Sequence, residues 1–183
     1  MTVRTLEEVM RDAGFEVVGP CERLSQREGL LERSELLDDF TAAEADILGN
    51  SMLLVRAQAG QPLIVEGDTS DWLMLLLAGT VDVGKRKVDF VPLTDDTEAP
   101  ERIAVVREGS VLGEMSMFDG EPRYASCTAL SAVEAAVLSR GAVRGLILRH
   151  PGVGAKLLVK LTQVLSRRLR NTSNQLIKVL RSR

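Results

Sequence analysis

The chain reads as a mainly β, α+β protein: a small antiparallel barrel or sandwich, preceded by short helices and followed by one long helix. Three observations predict this. Between residues 50 and 139, short apolar or alternating runs are punctuated by Gly60, Gly67, Gly79, Gly109, Gly113 and Gly120, the rhythm of strands and turns in a small antiparallel domain. Before that stretch, Thr5-Leu-Glu-Glu8, Ser25-Gln-Arg-Glu28 and Thr41-Ala-Ala-Glu44 repeat the Ser/Thr-x-x-Glu box that starts helices. After it, residues 153–183 contain no proline and carry apolar or small residues at a helical period.

In order, residues 1–33 are expected to form an N-terminal helical extension of two short helices, the first stopped near Gly14 and the second opening at Ser25. No chemistry is apparent there, so the extension serves packing or a partner. The box at Thr41, preceded by Phe40, should start a helix running to about Leu48. Residues 34–151 form the sheet domain, with turns at Gly67-Asp68 and at Ala78-Gly79-Thr80. Residues 85–102, with Pro92, Pro100 and the acidic Asp-Asp-Thr-Glu, make a polar insertion, either a long loop or an extended hairpin. Strands resume at Ile103. A helix over 141–150 is stopped by Pro151-Gly152, and residues 152–183 form the final helix.

Composition narrows the function. The chain has 183 residues, 45% hydrophobic and 27% charged, enough to fill and coat one core. Aromatics are only 3%, so that core is aliphatic. No apolar run reaches the roughly 18 residues of a membrane span, and the acids in the first dozen residues exclude a signal peptide. Cys21 and Cys127 form no disulfide framework and no CxxC, which predicts a cytoplasmic protein with reduced thiols. The single histidine, His150, stands before Pro151 at a helix end and cannot build a multi-histidine metal site. Neither GxxxxGK[ST] nor GxGxxG occurs. With no metal ligands and no nucleophile–base pair, no enzyme, cofactor or metal is predicted. The net charge of −3 hides a split: all 26 acids lie at or before Glu134, while 11 bases and no acid follow it. Such asymmetry marks either a partner surface or a basic tail docked on its own acidic body or its dimer mate.

The chemistry concentrates in residues 113–126, GEMSMFDGEPRYAS. Arg123 ends a Gly/Pro turn, a setting for a planar bidentate clamp on phosphate. Backbone N–H groups after Gly113 can share that anion. Glu114, nine residues before Arg123, can accept hydrogen bonds from hydroxyls. One site offering both suits a ligand with a phosphate and a sugar diol. The alternative is an ordinary ion pair within a surface turn.

This stretch resembles the phosphate-binding cassette of the cyclic nucleotide-binding domain family, which opens with Gly-Glu and closes with Pro-Arg and small residues: here Gly113, Glu114, Pro122, Arg123, Ala125 and Ser126. The resemblance implies an antiparallel β-roll, or double-stranded β-helix, with N-terminal helices. It implies that Glu114 holds the ribose 2′-hydroxyl and Arg123 the cyclic phosphate, with Met115, Ser116, Tyr124, Ala125 and Ser126 completing the ligand wall. Tyr124 departs from the small residue usual after the arginine.

From Leu158 the apolar or small stripe of the last helix runs through Leu161, Leu165, Leu169, Thr172, Leu176 and Val179, in steps of 3, 4, 4, 3, 4 and 3. That is close to a 3.5-residue period and predicts a homodimer seam through Val153 to Arg183. The alternative is a helix packed on its own barrel. The segment Arg-Arg-Leu, followed two residues later by Thr-Ser, resembles the central helix of bacterial catabolite activator proteins, which implies adenine contacts for Thr172 and Ser173. Those proteins continue into a helix-turn-helix domain. This sequence ends at Arg183, so no sequence-specific DNA binding is expected. The expected function is a regulatory receptor for cyclic AMP, or else cyclic GMP, acting through an unidentified protein partner. Two alternatives stand beside it: a nucleotide-free scaffold of the same fold, for which Tyr124 speaks, and a non-specific nucleic-acid binder using the basic tail.

Overall fold

The computed structural model describes residues 4–86 and 101–181. Helix α1 (Leu6–Asp12) begins at the predicted box: Thr5 Oγ1 accepts from the Glu8 N–H at 3.3 Å, and Glu8 Oε2 accepts from the Thr5 N–H at 2.7 Å. Helix α2 is one turn (Leu30–Arg33), and α3 (Ala42–Gly49) opens on the Thr41–Glu44 box as predicted. Nine strands follow the chain: β1 (Glu16–Pro20), β2 (Leu53–Ala57), β3 (Pro62–Ile64), β4 (Trp72–Ala78), β5 (Thr80–Lys85), β6 (Glu101–Arg107), β7 (Val111–Leu112), β8 (Ser126–Ala129) and β9 (Val133–Ser139). Between β7 and β8 sits helix α4 (Glu114–Asp119). Helices α5 (Arg140–Arg149) and α6 (Pro151–Arg181) close the described chain.

Two expectations for the N-terminal segment are corrected. Ser25 starts no helix. Its backbone N–H and its hydroxyl both donate to the Asp46 carboxylate on α3, at 2.9 Å each, so the side chain is unavailable as a cap. Residues Leu24–Gln26 make only a 3₁₀ turn, and α2 starts later, from Gly29. The segment is also not purely helical: between α1 and α2 runs β1, paired antiparallel with β2.

The strands form two antiparallel sheets, ordered β1-β2-β9-β4-β7 and β3-β8-β5-β6. Strand β4 shows why the run Trp72–Ala78 is continuously apolar. Trp72, Met74 and Leu76 point into the roll with Val55, Leu112 and Cys127. Leu73, Leu75 and Leu77 point outward into a second core with Leu48, Leu157 and Leu161 of α3 and α6. A strand covered on both faces loses the polar half of its alternation. Lys85 and Glu101 pair across β5 and β6; the rest of the expected insertion, residues 87–100, lies outside the described residues.

Ser139 caps α5 by accepting from the Ala142 N–H at 3.1 Å, and His150 is its exposed C-cap. As expected, α5 stops before Pro151, and Pro151 is itself the first residue of α6, a position where its missing N–H costs nothing. Over its first half α6 buries Val153, Leu157, Leu161 and Val164. Buried Lys160 there ion-pairs with Asp38 and Asp39. Its 31 residues span about 46 Å at ~1.5 Å each, and the last turns have no roll beneath them: Leu169 is 67% exposed and Leu176 58%. Among the described residues no helix is long and apolar enough to cross a membrane, and no cluster of three His, Cys, Asp or Glu side chains could hold a metal.

Candidate nucleotide site

The cassette folds as a short helix held between β7 and β8. Gly113 is its N-cap at φ 76, a left-handed backbone that suits glycine. A Cβ there would also collide with Nη1 of Arg123. Glu114 opens the helix, and Arg123 follows the Gly120 turn. Met115 and Phe118 face outward, each 44% exposed, while Ser116 and Met117 are buried.

Arg123 is 3% exposed. Nε donates to Ser70 Oγ at 2.7 Å, Nη1 to the Gly113 carbonyl at 2.6 Å and Nη2 to the Trp72 carbonyl at 2.7 Å. Its guanidinium also lies over the Trp72 ring, 4.3 Å from the centroid. Burial pulls its pKa below the ordinary arginine value, against the opposing pull of Cys127, Glu114 and Asp71; with five N–H groups sharing one delocalised charge the side chain remains a cation. Three of the five N–H groups are engaged, which leaves one on Nη1 and one on Nη2.

Glu114 is 2% exposed, yet it does not pair with Arg123. Its Oε1 accepts from Arg168 Nη1 of α6 at 2.6 Å, and Arg168 Nη2 reaches the Val111 carbonyl at 2.6 Å. No hydrogen bond among the described residues reaches Oε2. The roll therefore buries a cation and an anion without pairing them: Ser70, Gly113 and Trp72 hold Arg123, and Arg168 holds Glu114. Beneath them, burial pushes the Cys127 thiol up to about 12.

The other sequence-predicted residues fall in two groups. Ser126 Oγ accepts from the Glu66 N–H at 3.0 Å, and Ala125 is half-buried beside it. Tyr124 is 56% exposed with Lys85 Nζ over its ring at 4.1 Å; its side chain lies outward against Lys85 of β5. Thr172 and Ser173 lie on the exposed part of α6, and Thr172 Oγ1 donates to its own helix, to Arg168 O at 3.0 Å. One protomer does not bring them to the cassette. Sequence reasoning missed Ser70, Trp72 and Arg168. The last was within reach, as the second arginine of the Arg-Arg-Leu run; the other two act through a hydroxyl and a backbone carbonyl that no motif displays.

A β-roll with a Gly-Glu…Pro-Arg cassette under a C-terminal helix defines a class, and the chain belongs to it: the sequence profile of the cyclic nucleotide-binding domain family matches residues 54–150. Among its relatives, the CRP-like cAMP-activated global transcriptional regulator of Mycobacterium tuberculosis is 31% identical over 147 residues, which are 80% of this chain and 60% of the regulator. The cAMP-dependent protein kinase regulatory subunit of Aspergillus niger is 27% identical over 78% of this chain and 31% of the subunit. A solved cyclic nucleotide-binding domain from Methylobacillus flagellatus KT superposes with a TM-score of 0.75 at 33% identity, covering 92% of this chain and 90% of that one. The chain thus spans 60% of the length of the regulator and less of the kinase subunit.

Proposed function

We propose that this chain is a receptor for a cyclic nucleotide, cyclic AMP before cyclic GMP, that dimerises through residues 153–183 and passes the signal to a protein partner. One observation carries the reading. Arg123 and Glu114 are both buried, neither is spent on the other, and each keeps unused bonding capacity: two N–H groups on Arg123 and Oε2 on Glu114. A cyclic phosphate would take the free arginine N–H groups in charge-assisted hydrogen bonds. The ribose 2′-hydroxyl would donate to Oε2. The names of the relatives, a cAMP-activated regulator and a cAMP-dependent kinase subunit, support cyclic AMP as the ligand.

The response follows from Arg168. It ties the ligand carboxylate to α6, so a ligand that fixes Glu114 also fixes the helix. That shifts the population of α6 positions rather than creating a new one. Thr172 and Ser173 would meet the base once a second α6 lies along the exposed seam. The roles of Gly113, Met115, Ser116, Tyr124, Ala125 and Ser126 are to shape and line this pocket. Binding, not catalysis, is the activity. A cytoplasmic setting fits two free, buried cysteines.

A second reading has its own observation. Three Arg123 donors are already met by the protein, and Tyr124 stands where a small residue is usual, so the roll can also be a nucleotide-free scaffold for protein partners. Calorimetry with cyclic AMP and cyclic GMP separates the two. For the receptor, wild-type protein binds, and Arg123→Ala and Arg123→Lys lose about 2–5 kcal/mol of affinity. Circular dichroism and melting would verify that each variant is folded. Trp72, the only tryptophan, stacks on Arg123 and should report binding by a fluorescence change. Wild-type protein silent to both nucleotides, or a folded Arg123→Lys variant of unchanged affinity, would refute the receptor reading.

A further inference from the structure

A cleft of about 570 Å³ opens between α6 and the outside of the roll. Its size is that of a small-molecule site. It is lined by residues 109–111 and Val164, by Arg33, Arg167, Arg168 and Arg170, by Asn171 and Asn174, and by one carboxylate, Glu35. None of Leu165, Leu169, Thr172 or Leu176 lines it, so a helix pairing along that stripe would leave it open.

The charges do not cancel. Arg33 pairs with Glu108, Arg167 with Glu35 and Arg168 with Glu114. Arg170 has no ion-pair partner among the described residues, and no hydrogen bond among them engages the side-chain amides of Asn171 or Asn174. Four guanidinium groups therefore face three carboxylates, one of which, Glu114, is buried behind Arg168. Guanidinium forks take phosphate oxygens two at a time, and the two amides can bond to hydroxyl or carbonyl groups.

We propose that this cleft binds a small organic phosphate, and that its occupancy opposes ligand binding at the cassette, because the anion and Glu114 compete for Arg168. Arg168 stands between the two sites with one Nη on Glu114 and is 43% exposed toward the cleft. An anion that recruits it leaves the Glu114 carboxylate buried without its cation. Such a carboxylate is held less firmly as an acceptor for a ligand hydroxyl. The coupling rests on the nucleotide reading above; the binding itself does not.

Pyrophosphate is the probe, titrated calorimetrically into the full chain. It should bind wild-type protein, and affinity should fall at least about tenfold in Arg170→Ala and in Asn174→Ala, both exposed sites where the fold survives. Arg123→Lys should bind pyrophosphate as wild type does. In saturating pyrophosphate, the affinity for cyclic AMP should fall several-fold, and by linkage cyclic AMP should weaken pyrophosphate equally. Equal pyrophosphate affinity in wild type and Arg170→Ala, or loss in Arg123→Lys, would overturn the site. So would a protein that ignores pyrophosphate but binds duplex DNA through Arg170 with a steep salt dependence. If cyclic AMP does not bind but pyrophosphate does, through Arg170, the receptor reading falls, the coupling falls with it, and the anion site stands.

Discussion

Arg123 is held as a tool is held, by the back. Ser70, Gly113 and Trp72 take three of its donors, so its plane is set before any anion arrives and little rotamer entropy remains to be lost on binding. Gly113 is the residue on which this depends. Any side chain there would force a left-handed backbone and push on Nη1. Gly113→Ala should therefore lower stability by about 1–2 kcal/mol from the backbone alone and weaken nucleotide binding further by displacing the guanidinium. Melting temperature and calorimetry measured together test this. A variant that melts like wild type and binds like wild type would show that the glycine is dispensable.

Helix α6 is two elements in one. Its first half is a packed core helix: Leu157 and Leu161 are fully buried against β4 and α3. Its second half extends beyond the roll and keeps its apolar residues exposed, among them Leu169, Leu176, Ile177 and Leu180. The two halves should respond differently to the same truncation. Leu161→Ala should cost about 2–5 kcal/mol of folding stability, the usual range for a leucine cut from a core. Leu176→Ala should leave the fold within about 0.5 kcal/mol and instead weaken self-association, read by sedimentation across a concentration series. A monomeric wild type, or a Leu176 variant as unstable as the Leu161 variant, would contradict this division.

Over the whole molecule, charge binds the N-terminal segment to the roll. Glu134 on β9 receives both Arg27 and Arg56, the latter at 2.9 Å. Burial raises its pKa, but the hydrogen bonds and charges of Arg56 and Arg27 outweigh that and hold it below the ordinary carboxylate value. A group whose folded pKa lies below its unfolded one stabilises the fold at and above neutrality; that contribution is lost as the pH falls through the folded value. Glu134→Gln should thus be less stable than wild type at neutral pH, and the gap should close as the solution is acidified below the usual carboxylate range. A gap independent of pH would mean that Glu134 acts by packing and not by charge. The same segment contributes β1 to the larger sheet and Met10 and Phe15 to the roll interior, so residues 4–33 are continuous with the roll.

Local order was legible in the residues. The boxes at Thr5 and Thr41, the strands between the glycines and the stripe of α6 depend on neighbours a few positions away, and they appear where their periods place them. The cassette was legible for the same reason, since its Gly-Glu and Pro-Arg pairs lie within one short stretch. Choices between partners far apart in the chain were not. Ser25 could cap a helix or reach Asp46, 21 residues on, and it took the carboxylate. Glu114 could face Arg123, nine residues away, but folding brought Arg168 to it across 54. Spacing along a chain ranks near neighbours only; which of several cations meets a buried anion is decided by packing, because only the assembled core excludes the water that would otherwise serve each charge equally well.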